Sequence, residues 1–386
     1  MAEAIGLVVG ALAGLLALAG VATTLLAARA VRRFADLEPV RAPALPASIL
    51  RPLHGLAPGL EAALASTAAQ DHAAPFEVLC AVRDPADPAA ALAERVLGAA
   101  AVIRDGRVHG PNRKASQLAN LAERARHPVL VAVDDDIAVP PHWLTAVTAP
   151  LADPQVGLVT CLYHGVPGMP GPWSRLGGLG LDWGFLPNAI LGESLGRARG
   201  CYGATMALRA ETLERLGGFR ALAGLLADDH ALGAAVRRLG LRVVVAPVVP
   251  AHLMAEPSLL ALLRHELRWA RTVRLLDIRG YAGMVATHPL PFAALAAALL
   301  PAALGLPLLG AALAARIGLA VTVDRRLLGL PLSAGRLALL PVRDALGFGI
   351  WLAGLARGTV VWQGRRYRMD PEGRMTEAGH GGFFRR

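Results

Sequence analysis

Cysteine is scarce in this chain of 386 residues, which contains three. Cys80, Cys161 and Cys201 lie far apart, and no Cys-x-x-Cys pair occurs. Without such a pair the sequence offers neither a thiolate metal site nor a disulfide framework, as expected for a domain in a reducing compartment.

Basic side chains are missing from the first residues of the chain. Glu3 precedes an unbroken apolar run at residues 5–28, and Arg29, Arg32 and Arg33 follow it at once. A cleavable signal peptide carries positive charge before its apolar core, so the run predicts a transmembrane helix that is retained. Because arginine accumulates on the cytoplasmic side of membrane spans, everything after Arg29 is predicted to lie in the cytoplasm.

Acidic residues are too few to balance the basic ones. The net charge is +10, and arginine supplies most of the positive charge. Such an excess fits a nucleic acid, the anionic surface of an inner leaflet, or a diphosphate. The arginines are spread out and several stand beside apolar runs, which favours the leaflet and argues against nucleic acid. The hydrophobic fraction of 54% exceeds that of ordinary soluble chains, so part of the protein is predicted to lie in lipid.

Residues 46–285 are predicted to form one α/β domain. Short apolar runs bounded by turn residues alternate with helix-like stretches, which favours a mostly parallel, Rossmann-like sheet with helices on both faces. In such sheets ligands bind beyond the carboxyl ends of the strands. The Pro/Gly-rich stretch 166–180 is predicted to be a mobile loop. The predicted strands are 47–50, 76–82, 129–133, 157–161 and 241–246, and the predicted helices include 59–69, 89–99 and 114–125.

A second apolar region follows at residues 289–323, interrupted by Arg316 alone. About 35 residues exceed one comfortable span, so a hairpin of two short spans with a break near Pro307 is predicted. Such a hairpin returns Arg325 and Arg326, which follow it, to the cytoplasm.

A third apolar segment, residues 337–356, contains Arg343 and Asp344. Charges at membrane depth are costly unless they are paired or interfacial. The segment is therefore predicted to be re-entrant, interfacial or packed against another helix, and residues 357–386 are predicted to form a cytoplasmic tail.

The sharpest local pattern is an apolar strand that ends in Asp134, Asp135 and Asp136. Alternate residues of an extended chain point the same way, so Asp134 and Asp136 can share one site while Asp135 points away. Two carboxylates suit Mg²⁺ or Mn²⁺, which also binds substrate phosphates. A solvated acidic turn is the alternative interpretation.

Three other segments carry candidate functional residues. Asp84, after a strand, could accept the N–H of a uracil ring or simply form a turn. Lys114 could reach a diphosphate or simply belong to a helix start. Asp228 and Asp229 open a helix, where acids serve as caps. The functional alternative for Asp229 is a general base that deprotonates an acceptor hydroxyl.

Residues 262–276 predict a basic amphipathic helix. Its arginines recur at helical spacing, and its leucines with Trp269 supply apolar area. Such a helix just before membrane spans is expected to lie at the interface. Arg268 could also stabilise a departing diphosphate, or all the arginines could form a membrane-surface stripe with no catalytic role.

In their order these motifs resemble the ceramide glucosyltransferase family, inverting GT-A glycosyltransferases known for three separated aspartate motifs followed by (Q/R)xxRW. The sequence looks closest to the hopanoid biosynthesis-associated glycosyltransferases of the HpnI type. One departure is His265, which stands where Gln or Arg is usual. The matching segments are Asp84, Asp134 with Asp136, Asp229, Arg268 with Trp269, and residues 51–55, 110–114, 203–209 and 361–367.

The resemblance implies a GT-A domain that binds a UDP-sugar donor and a divalent metal and glycosylates a membrane lipid beside an anionic leaflet. The reaction it implies is transfer of N-acetylglucosamine from UDP-N-acetylglucosamine to bacteriohopanetetrol at the bacterial inner membrane. Ceramide glucosylation with UDP-glucose is the alternative. A processive polysaccharide synthase fits less well because it needs more spans. The implied residues are Asp229, Arg268 and Trp269 for catalysis, Arg51, Pro52, Gly55, Asp84, Asn112, Lys114 and Asp134 for the donor, and Asp134 with Asp136 for the metal.

Overall fold

The chain runs from a long N-terminal helix through an α/β domain to a group of apolar helices. The computed structural model describes residues 1–197, 201–356, 360–362, 365–369 and 374–377. The helices are α1 (Ala2–Ala35), α2 (Leu60–Ala68), α3 (Pro88–Leu97), α4 (Arg113–Ala122), α5 (Trp143–Thr148), α6 (Pro172–Gly180), α7 (Leu186–Ser194), α8 (Ala210–Arg215), α9 (Asp228–Arg238), α10 (Leu259–Leu276), α11 (Ile278–Gly283), α12 (Pro289–Leu299), α13 (Ala302–Thr322), α14 (Ala334–Ala338) and α15 (Leu340–Gly354). Two π-helical turns, Leu181–Phe185 and Val323–Leu327, extend α6 and α13.

Thirteen strands form three sheets within the described residues. They are β1 (Ala47–Pro52), β2 (Phe76–Val82), β3 (Val102–Arg104), β4 (Val129–Val133), β5 (Ile137–Ala138), β6 (Val156–Cys161), β7 (His164–Pro167), β8 (Thr205–Arg209), β9 (Arg242–Ala246), β10 (Ala251–Met254), β11 (Val360–Trp362), β12 (Arg365–Met369) and β13 (Met375–Glu377).

The central sheet has seven strands in the order β3-β2-β1-β4-β8-β6-β9. All neighbours are parallel except for β8, which runs antiparallel to β4 and β6. Every residue of β1 and β4 is buried, as expected for central strands that are covered on both faces. The α/β prediction is confirmed, with strands at all five expected positions.

A small sheet, β5-β10-β7, lies at the carboxyl end of β4. In it β10 pairs antiparallel with β5 and parallel with β7. The N–H of Leu253 donates to the carbonyl of Asp136 at 2.8 Å. This bond brings β10 beside the acidic loop that follows β4.

The predicted mobile loop at residues 166–180 is wrong, because most of it forms β7 and α6. Pro172 stands in the first turn of α6, where its missing N–H costs nothing. A Cβ on Gly165 would collide with the Cα of Gly178, so glycine lets β7 and α6 approach at backbone distance. That contact is tertiary, and composition alone gives no sign of it.

Two helices are long and apolar enough to cross a membrane, α1 and the helix Ala302–Leu327 made of α13 and its π turn. A bent pair, Ile278–Thr287 with Pro289–Leu299 at 57°, forms a third candidate if it counts as one span. We call α1, α12, α13 and α15 the membrane-side bundle, since α1, α12 and α13 pack together and α15 packs on α12. These helices indicate membrane association.

The expected break near Pro307 is wrong, because Pro307 lies inside α13. The break falls instead at Leu300, which is extended and precedes Pro301. A residue before proline is driven out of helical conformation, whereas apolar membrane helices tolerate an internal proline.

The charges of the third apolar segment are paired, as expected, but not with each other. Asp344 accepts two hydrogen bonds from Arg316 of α13, at 2.7 and 2.6 Å. Arg343 donates two to Glu266 of α10, at 2.8 and 2.7 Å. Neighbouring residues of α15 therefore tie α10 to the membrane-side bundle.

The described parts of the C-terminal tail form an antiparallel sheet of β11, β12 and β13. The N–H of Met375 donates to the carbonyl of Gly224 at 3.0 Å, so the tail touches the α/β domain. The motif at 361–367 lies partly outside the described residues.

Candidate active site

Arg51, the fifth residue of β1, holds the acidic loop after β4, which begins with Asp134, Asp135 and Asp136. Its guanidinium donates to the carbonyls of Asp134 and Ile137 at 2.7 and 3.0 Å. It also donates to the carbonyl of Ala63 at 2.9 Å and to the Thr67 hydroxyl. Arg51 is 0% exposed. The expected contact between Arg51 and a donor is therefore corrected: this side chain shapes the loop from the protein interior.

Lys114 is the only lysine in the chain. Its Nζ lies 2.5 Å from Oδ1 of Asp134 and donates to the carbonyl of Gly203 at 3.2 Å. Burial by itself lowers the pKa of Lys114, but the carboxylates of Asp134, Asp228 and Asp229 outweigh burial and raise it. The ammonium is therefore charged, and it links the loop after β4 to the segment before β8.

Asp229 stands in the first turn of α9, held by two backbone groups. Its Oδ2 accepts from the N–H of Gly203 at 2.9 Å and its Oδ1 from the N–H of His230 at 2.7 Å. Burial raises the pKa of Asp229; Lys114 and these two N–H groups oppose the rise, and Asp134 adds to it. An oriented carboxylate with a raised pKa beside a cation has the properties of a general base.

Asp228 is the buried neighbour of this carboxylate. Its Oδ2 has no hydrogen-bond partner among the described residues. Burial raises the pKa of Asp228, while the charge of Lys114 opposes that rise. Lys114 is thus the cation that makes two adjacent acids tolerable here.

Tyr163, which the sequence did not single out, lies among the candidate catalytic groups. Burial raises the pKa of its phenol, and the charges of Asp229, Asp134 and Asp136 raise it further, with Arg268 opposing them. The His252 ring lies 5.6 Å from that of Tyr163 and 5.9 Å from that of Trp269, so Tyr163 stands close to α10, which carries Arg268. The Arg268 guanidinium carbon lies 5.9 Å from the ring centroid of Trp269.

Two histidines complete the side of the site nearest α10. His252 Nε2 lies 3.2 Å from Oδ2 of Asp136, and burial lowers the pKa of His252 to about 4, leaving a neutral imidazole. His265 Nδ1 lies 2.6 Å from Oε1 of Glu256, with its ring 4.2 Å from that of Trp269. The sequence feature that could have identified His252 is a single histidine within the otherwise apolar strand β10.

The side chains at this site have the ligand atoms that a divalent metal ion prefers. Asp134 and Asp136 offer carboxylate oxygens, and neutral His252 offers a nitrogen beside Asp136. Burial, then the charge of Asp134, raises the pKa of Asp136, a crowding that a cation relieves. Across the described part of the chain, no three His, Cys, Asp or Glu side chains form a metal-holding group by themselves, so substrate oxygens would have to complete the coordination.

The expected donor loops lie at the ends of β1 and β2. Asp84 is exposed, and its Oδ1 accepts from the N–H of Ala86 at 2.9 Å in a turn. The N–H of Gly55, at φ +67°, donates to the Asp87 carboxylate at 3.0 Å. The contact of Asp87 with Gly55 could not be predicted from the sequence. Asp87 also caps α3, and an acid at a helix start is explained by capping alone.

Pro52 and Asn112 are placed differently from the expectation of donor contact. Pro52 is buried at the end of β1. Asn112 is 0% exposed; its Oδ1 accepts from Ala115 N–H at 2.9 Å and its Nδ2 donates to the Leu225 carbonyl at 2.8 Å. Asn112 caps α4 and so sets the position of Lys114 from inside the fold.

Comparison with known proteins gives one family and a shared fold. The model of glycosyl transferase family 21 matches residues 12–375. A mannosyltransferase from Pyrobaculum calidifontis in complex with GDP-Man and Mn²⁺ superimposes with a TM-score of 0.52 at 21% identity, over 90% of this chain and 97% of that one. A glucosyl-3-phosphoglycerate synthase from Mycobacterium tuberculosis in complex with Mg²⁺ and UDP gives 0.34 at 16% identity, over 54% and 71%. The first similarity establishes the GT-A fold and nothing about substrates.

The buried position of Arg51 leads to a stability prediction. Arg51→Lys should lower the free energy of unfolding by roughly 2–4 kcal/mol, because one ammonium cannot replace the hydrogen bonds to two carbonyls of the acidic loop. Thermal unfolding of the ligand-free protein in detergent measures this, with exposed Arg95→Lys as the control. An unchanged melting temperature combined with weaker nucleotide binding would restore the donor-contact interpretation.

Proposed function

This chain belongs to glycosyl transferase family 21, and from that premise we propose that it transfers N-acetylglucosamine from UDP-N-acetylglucosamine to a hydroxyl of a hopanoid lipid, bacteriohopanetetrol. The enzyme is a glycosyltransferase with a GT-A fold. The choice of sugar and lipid rests on the order of motifs in the sequence. Ceramide with UDP-glucose is the second candidate pair, because the same family resemblance covers it.

The observation that carries the proposal is the cluster around Lys114. Its ammonium contacts Asp134 and the Gly203 carbonyl, and the N–H of Gly203 holds Asp229. A candidate donor-side acid and a candidate base thus share one small network. A transferase needs this proximity, because the departing diphosphate and the attacking hydroxyl meet at one sugar carbon.

A second set of contacts supports a lipid acceptor. α10 carries Arg268 and Trp269 into the site, and its Glu266 is bound by Arg343 of the membrane-side bundle. Leu259, Leu260 and Val273 of α10 are exposed, as expected for a helix that rests against a bilayer. The site therefore stands next to the surface where a lipid hydroxyl would emerge.

In the proposed mechanism Asp229 accepts the proton of the lipid hydroxyl as that oxygen attacks the sugar. Lys114 and Arg268 place positive charge beside the departing diphosphate, where it lowers the barrier most. A divalent ion held by Asp134 and Asp136, with His252 beside them, would neutralise part of that charge. A single base with in-line attack gives inversion at the sugar carbon.

The proposed location is the bacterial inner membrane, with several spans and a cytoplasmic catalytic domain. Arg29, Arg32 and Arg33 near the C-terminal end of α1, and Arg325 with Arg326 at the end of the helix Ala302–Leu327, support this orientation. UDP-sugars are made in the cytoplasm, so a donor site on that side is consistent with the proposed reaction.

The substrate proposal predicts a specific product. Purified enzyme given UDP-N-acetylglucosamine and bacteriohopanetetrol should form an N-acetylhexosaminyl tetrol, detected by mass spectrometry of the lipid extract. Parallel reactions contain UDP-glucose and ceramide. A hexosylceramide as the main product would show that ceramide and UDP-glucose are the substrates. A water-soluble polymer without glycolipid would indicate a polysaccharide synthase.

The base is tested by Asp229→Asn. The amide cannot accept the proton, so turnover should fall by roughly two to four orders of magnitude. UDP affinity should change little, because Asp229 faces the acceptor. In wild type the rate should decline as pH falls through the raised pKa of Asp229, since only the ionised carboxylate is a base. Near-normal turnover by the variant would exclude Asp229 from this role.

The metal is tested by Asp136→Ala, with neighbouring Asp135→Ala as the matched control. Calorimetry of wild type should show that UDP binds more tightly when Mn²⁺ is added. Asp136→Ala should lose this gain, because it removes a carboxylate ligand, and Asp135→Ala should keep most of it. Equal gains in both variants would mean that other residues bind the ion.

A further inference from the structure

Three aromatic rings stand in series beside the site, between Asp229 and the membrane-side bundle. The rings of Tyr163 and Phe185 are stacked at 4.7 Å, and Phe185 meets Tyr202 edge-on at 5.7 Å. All three are partly exposed. We call Tyr163, Phe185 and Tyr202 the aromatic wall.

The polar end of the wall reaches the reacting groups. The Tyr163 hydroxyl makes no hydrogen bond within the described residues. The Tyr163 ring lies edge-on to that of His252 at 5.6 Å, and His252 contacts the Asp136 carboxylate at 3.2 Å. Tyr202 precedes Gly203, whose N–H binds Asp229. A free phenol and the base therefore lie on one surface.

The second polar group of the wall is Glu193 of α7. The Tyr202 hydroxyl donates to its Oε1 at 3.2 Å. The carboxylate is about half-buried in the fold. A carboxylate accepts hydrogen bonds from several hydroxyl groups, and it remains able to do so after binding one phenol.

The lower end of the wall belongs to helices that pack on the membrane-side bundle. Phe185 ends the π-helical turn that leads into α7. Leu186 and Ile190 of α7 share an apolar cluster with Ala17 of α1 and Leu319 of α13, and Phe185 and Tyr202 pack against this cluster. The wall is thus continuous from the bundle to Asp229.

Sheet order separates this surface from the donor loops. The loops with Gly55 and Asp84 follow β1 and β2, on one side of β4. Tyr163 follows β6 and Tyr202 precedes β8, on the other side of β4. Asp134 and Lys114 lie between the two sides, so the wall faces the partner that approaches opposite the nucleotide.

We propose that the aromatic wall and Glu193 form the acceptor subsite and bind the polyhydroxylated head of a lipid. The rings cover the carbon face of the polyol chain, as aromatic side chains cover apolar surface elsewhere. Glu193 accepts hydrogen bonds from its outer hydroxyls, and Tyr163 bonds the hydroxyl next to the one that reacts. This inference rests on the proposed function and specifies which kind of lipid head the site selects.

The test compares Phe185→Leu, Glu193→Gln and Tyr163→Phe with Phe292→Leu as the matched control. Phe292 packs against the same apolar cluster but against Phe348, at 5.3 Å, rather than the wall. Each wall variant should raise the Michaelis constant for bacteriohopanetetrol about tenfold, the cost of one lost contact. The constant for the UDP-sugar should stay within about twofold, and the control should change neither.

An acceptor with one hydroxyl on the same hydrocarbon skeleton sharpens the test. Glu193→Gln should leave its Michaelis constant unchanged, because the hydroxyls that Glu193 binds are absent. An equal rise for the tetrol and the monohydroxy lipid, or a rise in Phe292→Leu, would overturn the subsite and indicate a general packing effect. A rise for the UDP-sugar alone would assign the wall to the donor.

Direct binding separates this inference from the proposed reaction. Calorimetry with bacteriohopanetetrol in detergent is carried out on Asp229→Asn protein, with and without Phe185→Leu. Tetrol binding that Phe185→Leu weakens supports the subsite even if no sugar is transferred, in which case the proposed reaction alone fails. Absence of tetrol binding in both proteins overturns the subsite.

Discussion

The ammonium group of Lys114 is the interaction on which the site depends. Asp134 comes from the loop after β4 and Asp229 from α9, and the charge of Lys114 acts on both and on Asp228. Without a cation these neighbouring carboxylates would repel one another. An ammonium is a compact charge that fits between carboxylates, unlike the planar guanidinium of arginine. A chain that uses arginine at every other basic position keeps its one lysine here.

A second constraint joins the site to the membrane helices. Neighbouring residues of α15 bind in opposite directions, Arg343 to Glu266 of α10 and Asp344 to Arg316 of α13. Such buried pairs are costly unless both partners are present and aligned. They hold α10, the helix that carries Arg268 and Trp269, against the membrane-side bundle.

Part of the site could be predicted because its signals are local. Three acids after an apolar strand and an acid at a helix start are visible in a few adjacent residues. Arg51 and Asn112 looked equally functional in sequence, yet both are buried and form most of their hydrogen bonds with backbone groups. Tyr163 and His252 gave no comparable signal, since their importance comes from neighbours distant in the chain.

The sequence by itself determined the apolar helices, the buried strands and the order of acids along the chain, because periodicity and hydrophobicity act over short segments. Only the tertiary structure decided which charge pairs with which, where the apolar region after residue 289 breaks, and that residues 166–180 fold as strand and helix. The physical reason is distance. Coulomb energy, hydrogen bonding and close packing depend on separations of a few ångströms between groups that the chain places far apart in sequence.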